Sequence, residues 1–279
     1  MRFEVIHEIE YRYSSPVFLE PQTFYLRPRE DASQRLLRFD LTLDPEPAIY
    51  SEQTDPSGNA MARAWYRGTW ERFRIEARSE VEIIRPNPFD YLPDEGCVRL
   101  PVQYRPETAR WLNPSLCGPP VDASVTAFAA GIAARVQNET LSFLFELCRE
   151  ISVVIKRIHR ATGAAWPAAE TLVRREGSCR DTAVLFMECC RSLGLAARFT
   201  SGYFEGDHED PENELHAWCE VYLEGGGWRG FDPINGLAVG EAYLSLASAP
   251  DGELLAPVSG SFRGSASAAL KTRVQFRRK

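Results

Sequence analysis

Apolar residues recur at every second position through three separate stretches of the first ninety or so residues, and that period limits this part of the chain to half-buried β-strands. Phe3, Val5, Ile9, Tyr11 and Tyr13 occupy odd positions, with His7 as the interruption. Phe39, Leu41 and Leu43 alternate with Arg38, Asp40 and Thr42. Phe73, Ile75, Ala77, Val81 and Ile83 alternate with Arg72, Arg74, Glu76, Arg78, Glu80 and Glu82. One apolar face and one charged face suit antiparallel strands packed on one side only. Asp55-Pro56-Ser57-Gly58-Asn59 is a strong turn signal between two of them. The expected unit is an antiparallel β-sandwich over residues 1–90.

The pattern then changes. Eight prolines punctuate residues 86–120, which read as a Pro-rich linker wrapping the surface, assigned to 91–120. Beyond it the period becomes helical. Leu141, Leu144, Phe145, Cys148, Ile151 and Ile155 share one helix face, as do Ala183, Phe186, Met187, Cys190 and Leu193, with Gly194 as a stop. Strands follow over 197–204, 215–223 and 228–232, the last two joined by Glu224-Gly225-Gly226-Gly227. Helices followed by an antiparallel sheet make residues 121–279 an α+β domain with a C-terminal tail.

The chain has 279 residues, 44% hydrophobic and 25% charged, enough for a sizeable core, and its formal charge of -7 disfavours nucleic acid and anionic membranes as partners. The opening Met1-Arg2-Phe3-Glu4-Val5-Ile6 alternates and has no signal-peptide core, and no apolar run is long enough to span a bilayer. Seven cysteines without a CxxC spacing argue against a zinc site and a secreted disulfide framework, so a reducing cytoplasm is expected.

Chemistry concentrates at Cys179. It opens the helix that ends near Ser192, where unpartnered backbone N–H groups and the helix dipole favour a thiolate. Its neighbours Ser178, Arg180 and Asp181 do not suit a core position; Arg180 adds positive charge and Asp181 opposes it. Cys148, Cys190 and Cys219 fall on apolar faces and read as core. His216 lies on the strand face shared with Trp218, Glu220 and Tyr222, opposite the small apolar residues Ala217, Cys219 and Val221. A connection of five residues, 223–227, sets Trp218 opposite Asp232 and puts His216 diagonal to Asp232 on the same face. A connection one residue shorter would turn Asp232 to the wrong face. Cys179, His216 and Asp232 are thus candidates for nucleophile, base and orienter.

Gly177-Ser178-Cys179-Arg180-Asp181, Leu215-His216-Ala217-Trp218-Cys219-Glu220-Val221-Tyr222 and Gly227-Trp228-Arg229-Gly230-Phe231-Asp232-Pro233-Ile234-Asn235-Gly236 resemble, in order, the three core motifs of bacterial transglutaminase-like proteins, a branch of the papain-like superfamily that includes cysteine proteases. His7-Glu8-Ile9-Glu10-Tyr11-Arg12-Tyr13 and the 55–59 turn resemble that family's N-terminal domain, and Pro257-Val258-Ser259-Gly260 its tail. The resemblance implies a transglutaminase-core α+β fold and carries the three catalytic roles onto Cys179, His216 and Asp232. Two departures stand out: Ala249-Pro250-Asp251 replaces a Gly-Arg-Asp sequence, and Trp166 falls where small hydroxyl residues are usual. Trp166, with core packing as its alternative, and Trp218 are the candidate substrate-binding residues.

The expected activity is cysteine-dependent acyl transfer on peptide or protein amides through a thioester, passed to water or to an amine. Arylamine acetyltransfer uses the same three residue types, but a β-domain of over eighty residues precedes the cysteine here. A catalytically silent protein-binding module is the non-enzyme alternative. No cofactor or metal is expected. The loop 205–214 carries six carboxylates, yet lacks the regular oxygen spacing and central glycine of an EF-hand, so a solvated rim is expected there.

Overall fold

A computed structural model describes residues 1–160, 163–206 and 215–279, apart from the side chains of 253 and 254. The acidic loop weighed above as a cation site therefore lies mostly outside the described residues.

The first part of the chain forms β1 (Arg2–Leu19), β2 (Gln22–Phe24), β3 (Gln34–Asp44), β4 (Ile49–Thr54), β5 (Ala60–Trp65) and β6 (Trp70–Ile83). The alternating residues face inward as the pattern requires: Phe73, Ile75, Ala77, Val81 and Ile83 are buried, and so are Phe3, Val5 and Ile9. Helices follow: α1 (Pro106–Leu116), α2 (Ala123–Arg135), α3 (Thr140–Val154), α4 (Ala168–Arg174) and α5 (Cys179–Ser192), with β7 (Lys156–Arg157) and β8 (Glu176–Gly177) as a short parallel pair. The second domain's sheet comprises β9 (Ala197–Phe204), β10 (Leu215–Leu223), β11 (Gly227–Asp232), β12 (Leu237–Ala238) and β13 (Tyr243–Ala249), in the order β12-β11-β10-β9-β13. The chain ends with β14 (Val258–Ser259), β15 (Phe262–Arg263) and β16 (Ala268–Arg278).

Two boundaries read from the sequence move. The segment 91–120 is not a surface linker: Cys97, Leu100 and Val102 belong to the main core of the second domain, and α1 forms around two of the prolines. Pro106 starts that helix, where its missing N–H costs nothing. Arg105 and Thr108 both bind the buried Glu224 of the β10–β11 turn, which ties the segment to the sheet. The C-terminal tail likewise leaves the second domain. β14 pairs with β2, and β16 pairs with β1 along eleven residues, from Phe3↔Arg278 to Tyr13↔Ala268. Leu270, Val274 and Phe276 supply the alternation that the tail's cations obscure. The pairing covers an edge of β1 that would otherwise present open hydrogen-bonding groups.

The domains meet along β13, an edge strand of the second sheet, whose Ser245 backbone exchanges hydrogen bonds with the Gln34 side chain. Phe3, Val5, Val81 and Ile83 join Tyr203, Leu244 and Leu246 in one apolar cluster. His7, the interruption in the first strand, is buried there, with Tyr203 Oη and Thr272 Oγ1 each 3.0 Å from its ring nitrogens. Asn59 of the sequence-read turn exchanges hydrogen bonds of 2.8 Å in both directions with the Ser248 backbone. Arg29 pairs with the buried Glu220, which Arg198 also binds.

Candidate active site

The register of the β10–β11 hairpin follows the expected one: Leu223↔Gly227 through Cys219↔Phe231, a ladder that sets Trp218 level with Asp232. Gly225 and Gly227, at φ +83° and +71°, allow the turn. His216 consequently reaches Asp232, with Nε2 2.7 Å from Oδ2. That leaves Nδ1 for the Cys179 thiol, with which the ring is hydrogen-bonded. The backbone N–H of Ala217 also donates to the sulfur. The three candidate residues Cys179, His216 and Asp232 therefore lie together in one cluster.

Asp232 is fully buried and multiply held. Asn235 Nδ2 and Tyr243 Oη donate to Oδ2 at 2.7 and 2.8 Å, and the Ile234 N–H reaches Oδ1 at 3.3 Å. Burial alone would raise its carboxyl, but the His216 charge and these donors hold it below the usual carboxylate value. His216 behaves in the opposite sense. Burial opposes its charge, yet Asp232 and the thiol push it up to about 10. For Cys179, burial works against ionisation, while the His216 hydrogen bond and charge, then Arg180, outweigh it and lower the thiol. The site is arranged for a thiolate–imidazolium pair, with Cys179 as its partly exposed member. Burial pushes Cys148, Cys189, Cys190 and Cys219 up instead, so they stay neutral thiols of the core.

The loop before Cys179 is organised by Asp181, which does more than oppose Arg180. Its fully buried carboxylate accepts from the Ser178 N–H at 2.7 Å and the Ser178 hydroxyl at 2.8 Å, a capping-box arrangement at the start of α5. It also accepts from the Trp166 N–H at 2.7 Å and from Arg160 Nη1 at 2.7 and 2.8 Å. An added Cβ at Gly177 would lie 3.0 Å from the Asp181 Cβ, so a residue without one fits best here.

The two candidate substrate-binding residues differ in exposure. Trp218 is 0% exposed. It packs edge-on to Tyr243 at 5.4 Å, and Gly202 has no room for a Cβ because the Trp218 ring and the Leu244 carbonyl fill that space. Trp218 thus packs beside His216 and Tyr243 within the sheet. Trp166 is half-buried, with the Arg160 and Arg174 guanidiniums at 4.3 and 4.6 Å from its ring centroid. Three positioning residues escaped the sequence reading. Asp181 was detectable as the fourth residue of a Ser-x-x-Asp helix start, and Asn235 by its place in the third motif. Tyr243 arrives from β13 by tertiary pairing and carries no local signal. Among the described residues no group of three or more His, Cys, Asp or Glu is placed to hold a metal ion.

Comparisons with known proteins support the family resemblance carried by the motifs. Residues 3–82 match the family described as the bacterial transglutaminase-like N-terminal region, and residues 126–233 match the transglutaminase-like superfamily. An uncharacterized protein of Mycobacterium tuberculosis (strain H37Rv) is 29% identical over 277 residues, covering 93% of this chain and 87% of its own. One from Mycobacterium leprae is 24% identical over 284 residues, covering 99% of each. The crystal structure of a candidate cysteine protease from Cytophaga hutchinsonii superposes with a TM-score of 0.74 at 22% identity, over 99% of this chain and 90% of that one, and so shares the fold. The chain thus carries a transglutaminase-like superfamily core over residues 126–233, preceded over residues 3–82 by the bacterial transglutaminase-like N-terminal region.

Proposed function

We propose that this protein is a cysteine-dependent acyl-transfer enzyme that acts on peptide or protein amides. The observation that carries the reading is the buried His216, bonded at one nitrogen to Asp232 and hydrogen-bonded to a lowered Cys179 thiol. The thiolate attacks the amide carbonyl carbon, and the carbonyl electron pair moves onto oxygen. Backbone N–H groups at the start of α5, that of Cys179 first, are suited to receive this oxyanion. The imidazolium gives its proton to the leaving nitrogen, the C–N bond breaks, and a thioester remains. Neutral His216 then takes a proton from water or an amine as that acceptor attacks the thioester, and the thiolate is regenerated. Asp232 holds the ring in the required tautomer and stabilises its charged form.

Hydrolysis is the proposed main fate, because Cys179 is the member of the cluster that solvent reaches, and exclusion of water is what favours transfer to an amine. Seven free cysteines fit a reducing compartment. The test is a peptide library from cell extract incubated with wild type and with Cys179→Ala, and read by mass spectrometry. Glutamine converted to glutamate indicates deamidation, new termini indicate proteolysis, and joined peptides indicate transamidation. A library left identical by the two proteins would refute the proposal in favour of a silent binding module.

A further inference from the structure

Between the 29–34 segment of the N-terminal domain and the catalytic sheet lies a cavity of about 360 Å³. Four arginines line it, Arg29, Arg85, Arg198 and Arg229, against two carboxylates, Asp31 and Glu220. Those carboxylates are already committed. Arg29 Nε lies 2.6 Å from Asp31 and its Nη2 2.6 Å from Glu220, while Arg198 Nη2 lies 2.7 Å from Glu220. Two cations balance two anions, and Arg85 and Arg229 are left over.

Arg229 is only 7% exposed. Its Nε donates to the Gly226 carbonyl at 2.8 Å, its Nη2 reaches the Asp90 carbonyl at 3.3 Å, and its plane lies 4.2 Å from the Tyr91 ring centroid. Those contacts explain it as a staple for two turns. They leave Nη1 buried with no hydrogen-bond partner among the described residues. The guanidinium of Arg85 makes no ion pair among the described residues either. Burial and then the charge of Arg85 depress Arg229, and Tyr91 and Asp90 offset them only in part. A buried cation without an ion pair and with an unused donor is costly.

We propose that this cavity is a binding site for a small molecule bearing an oxyanion, a phosphate or a carboxylate, held by Arg85 and Arg229. A guanidinium presents donors in a planar fork that matches either group. The volume lies near the lower end of the roughly 300–1,000 Å³ of small-molecule sites. Ile83, Pro88 and Val239 give the remainder of such a ligand an apolar wall. Tyr243, which lines the same cavity, donates to Asp232, so an occupant would lie one residue away from the catalytic cluster. The site is independent of the acyl-transfer reading and stands or falls without it.

The experiment is isothermal titration of the whole protein with sodium phosphate and with sodium citrate, each against sodium chloride at matched ionic strength. One of the two oxyanions is expected to bind where chloride does not. Tighter phosphate binding would assign a phosphorylated ligand, and tighter citrate binding a carboxylate. Arg85→Ala, a partly exposed residue outside the core, should weaken binding about tenfold or more, the loss of one charged hydrogen-bonding partner. Arg229→Ala should weaken it at least as much, with circular dichroism checking that the variant is folded. No binding of either anion below roughly 10 mM, or an affinity unchanged by Arg85→Ala, would overturn the site.

Discussion

Replacing His216 with alanine tests the electrostatics of the cluster at its centre. The ring stands between the Asp232 carboxylate, 2.7 Å from Nε2, and the Cys179 thiol. Burial opposes charge on both thiol and ring. The chain of interactions from Asp232 outweighs it, so His216 is pushed up to about 10 and Cys179 is lowered. Without the ring, burial faces only the charge of Arg180 and the N–H of Ala217. The alkylation midpoint of Cys179 in the variant is then expected at or above the roughly 8.5 of a free thiol. Each pH unit by which it moves corresponds to about 1.4 kcal/mol of lost thiolate stabilisation. At pH 7 such a thiol is only about 3% ionised. A more basic sulfur is also intrinsically more nucleophilic, with a Brønsted slope of roughly 0.4–0.5. The rate at a single pH therefore understates the change, and the midpoint is the quantity to measure. The assay is iodoacetamide modification of the native protein across the pH range, followed at Cys179 by peptide mass spectrometry, with exposed Cys117 as an internal check on reagent access. A wild-type midpoint near that of a free thiol, or a His216→Ala midpoint no higher than the wild type's, would refute the ion-pair reasoning.

Tyr243→Phe removes one donor from Asp232 but keeps the ring that packs on Phe204 and Trp218; turnover should fall by about 1 kcal/mol, roughly fivefold, with little change in stability, and an unaltered rate would show that the hydroxyl does not help to hold the carboxylate. Asp181→Ala strands the Arg160 guanidinium and frees the loop before Cys179; urea unfolding should show a loss of about 3–5 kcal/mol, against which an unchanged midpoint would count. Burial holds His7 down at about 4, so between its ordinary 6.5 and that value the unfolded chain takes up a proton that the folded chain refuses. Stability should therefore be unaffected by this residue above pH 6.5 and should fall by about 3 kcal/mol as the pH drops through that window; His7→Gln should flatten the slope there, and a slope equal to the wild type's would remove His7 as its source.

Much of the second domain was legible because its signals are local. The face carrying Ala183, Phe186, Met187 and Cys190 is set by helical period alone, and those residues are buried. The hairpin register followed from the length of its glycine-rich connection, since in a strand of period two only one parity brings His216 and Asp232 to the same side. Local signals misled where a segment's role depends on what lies against it. Residues 91–120 look like a linker by their prolines, yet three of their apolar side chains complete the main core. Phe145 fits the helical stripe of α3 but is 37% exposed, while Phe143 and Leu147 are fully buried, because the packing of neighbouring elements decides which side of a broadly apolar helix turns inward.

The chain's own order of residues determined the alternating strands of the first domain, the helix that begins at Cys179 and the spacing that aligns the three catalytic candidates, all consequences of backbone periodicity and turn length. Tertiary structure alone decided the rest. It carried β16 back across the molecule to the open edge of β1, brought Tyr243 from β13 onto Asp232, and left Trp218 fully buried against Tyr243. It also enclosed Arg85 and Arg229 in one cavity from positions 144 residues apart. Pairings across such separations depend on which surfaces remain unsatisfied once the local elements have formed, and that is a property of the whole assembled chain.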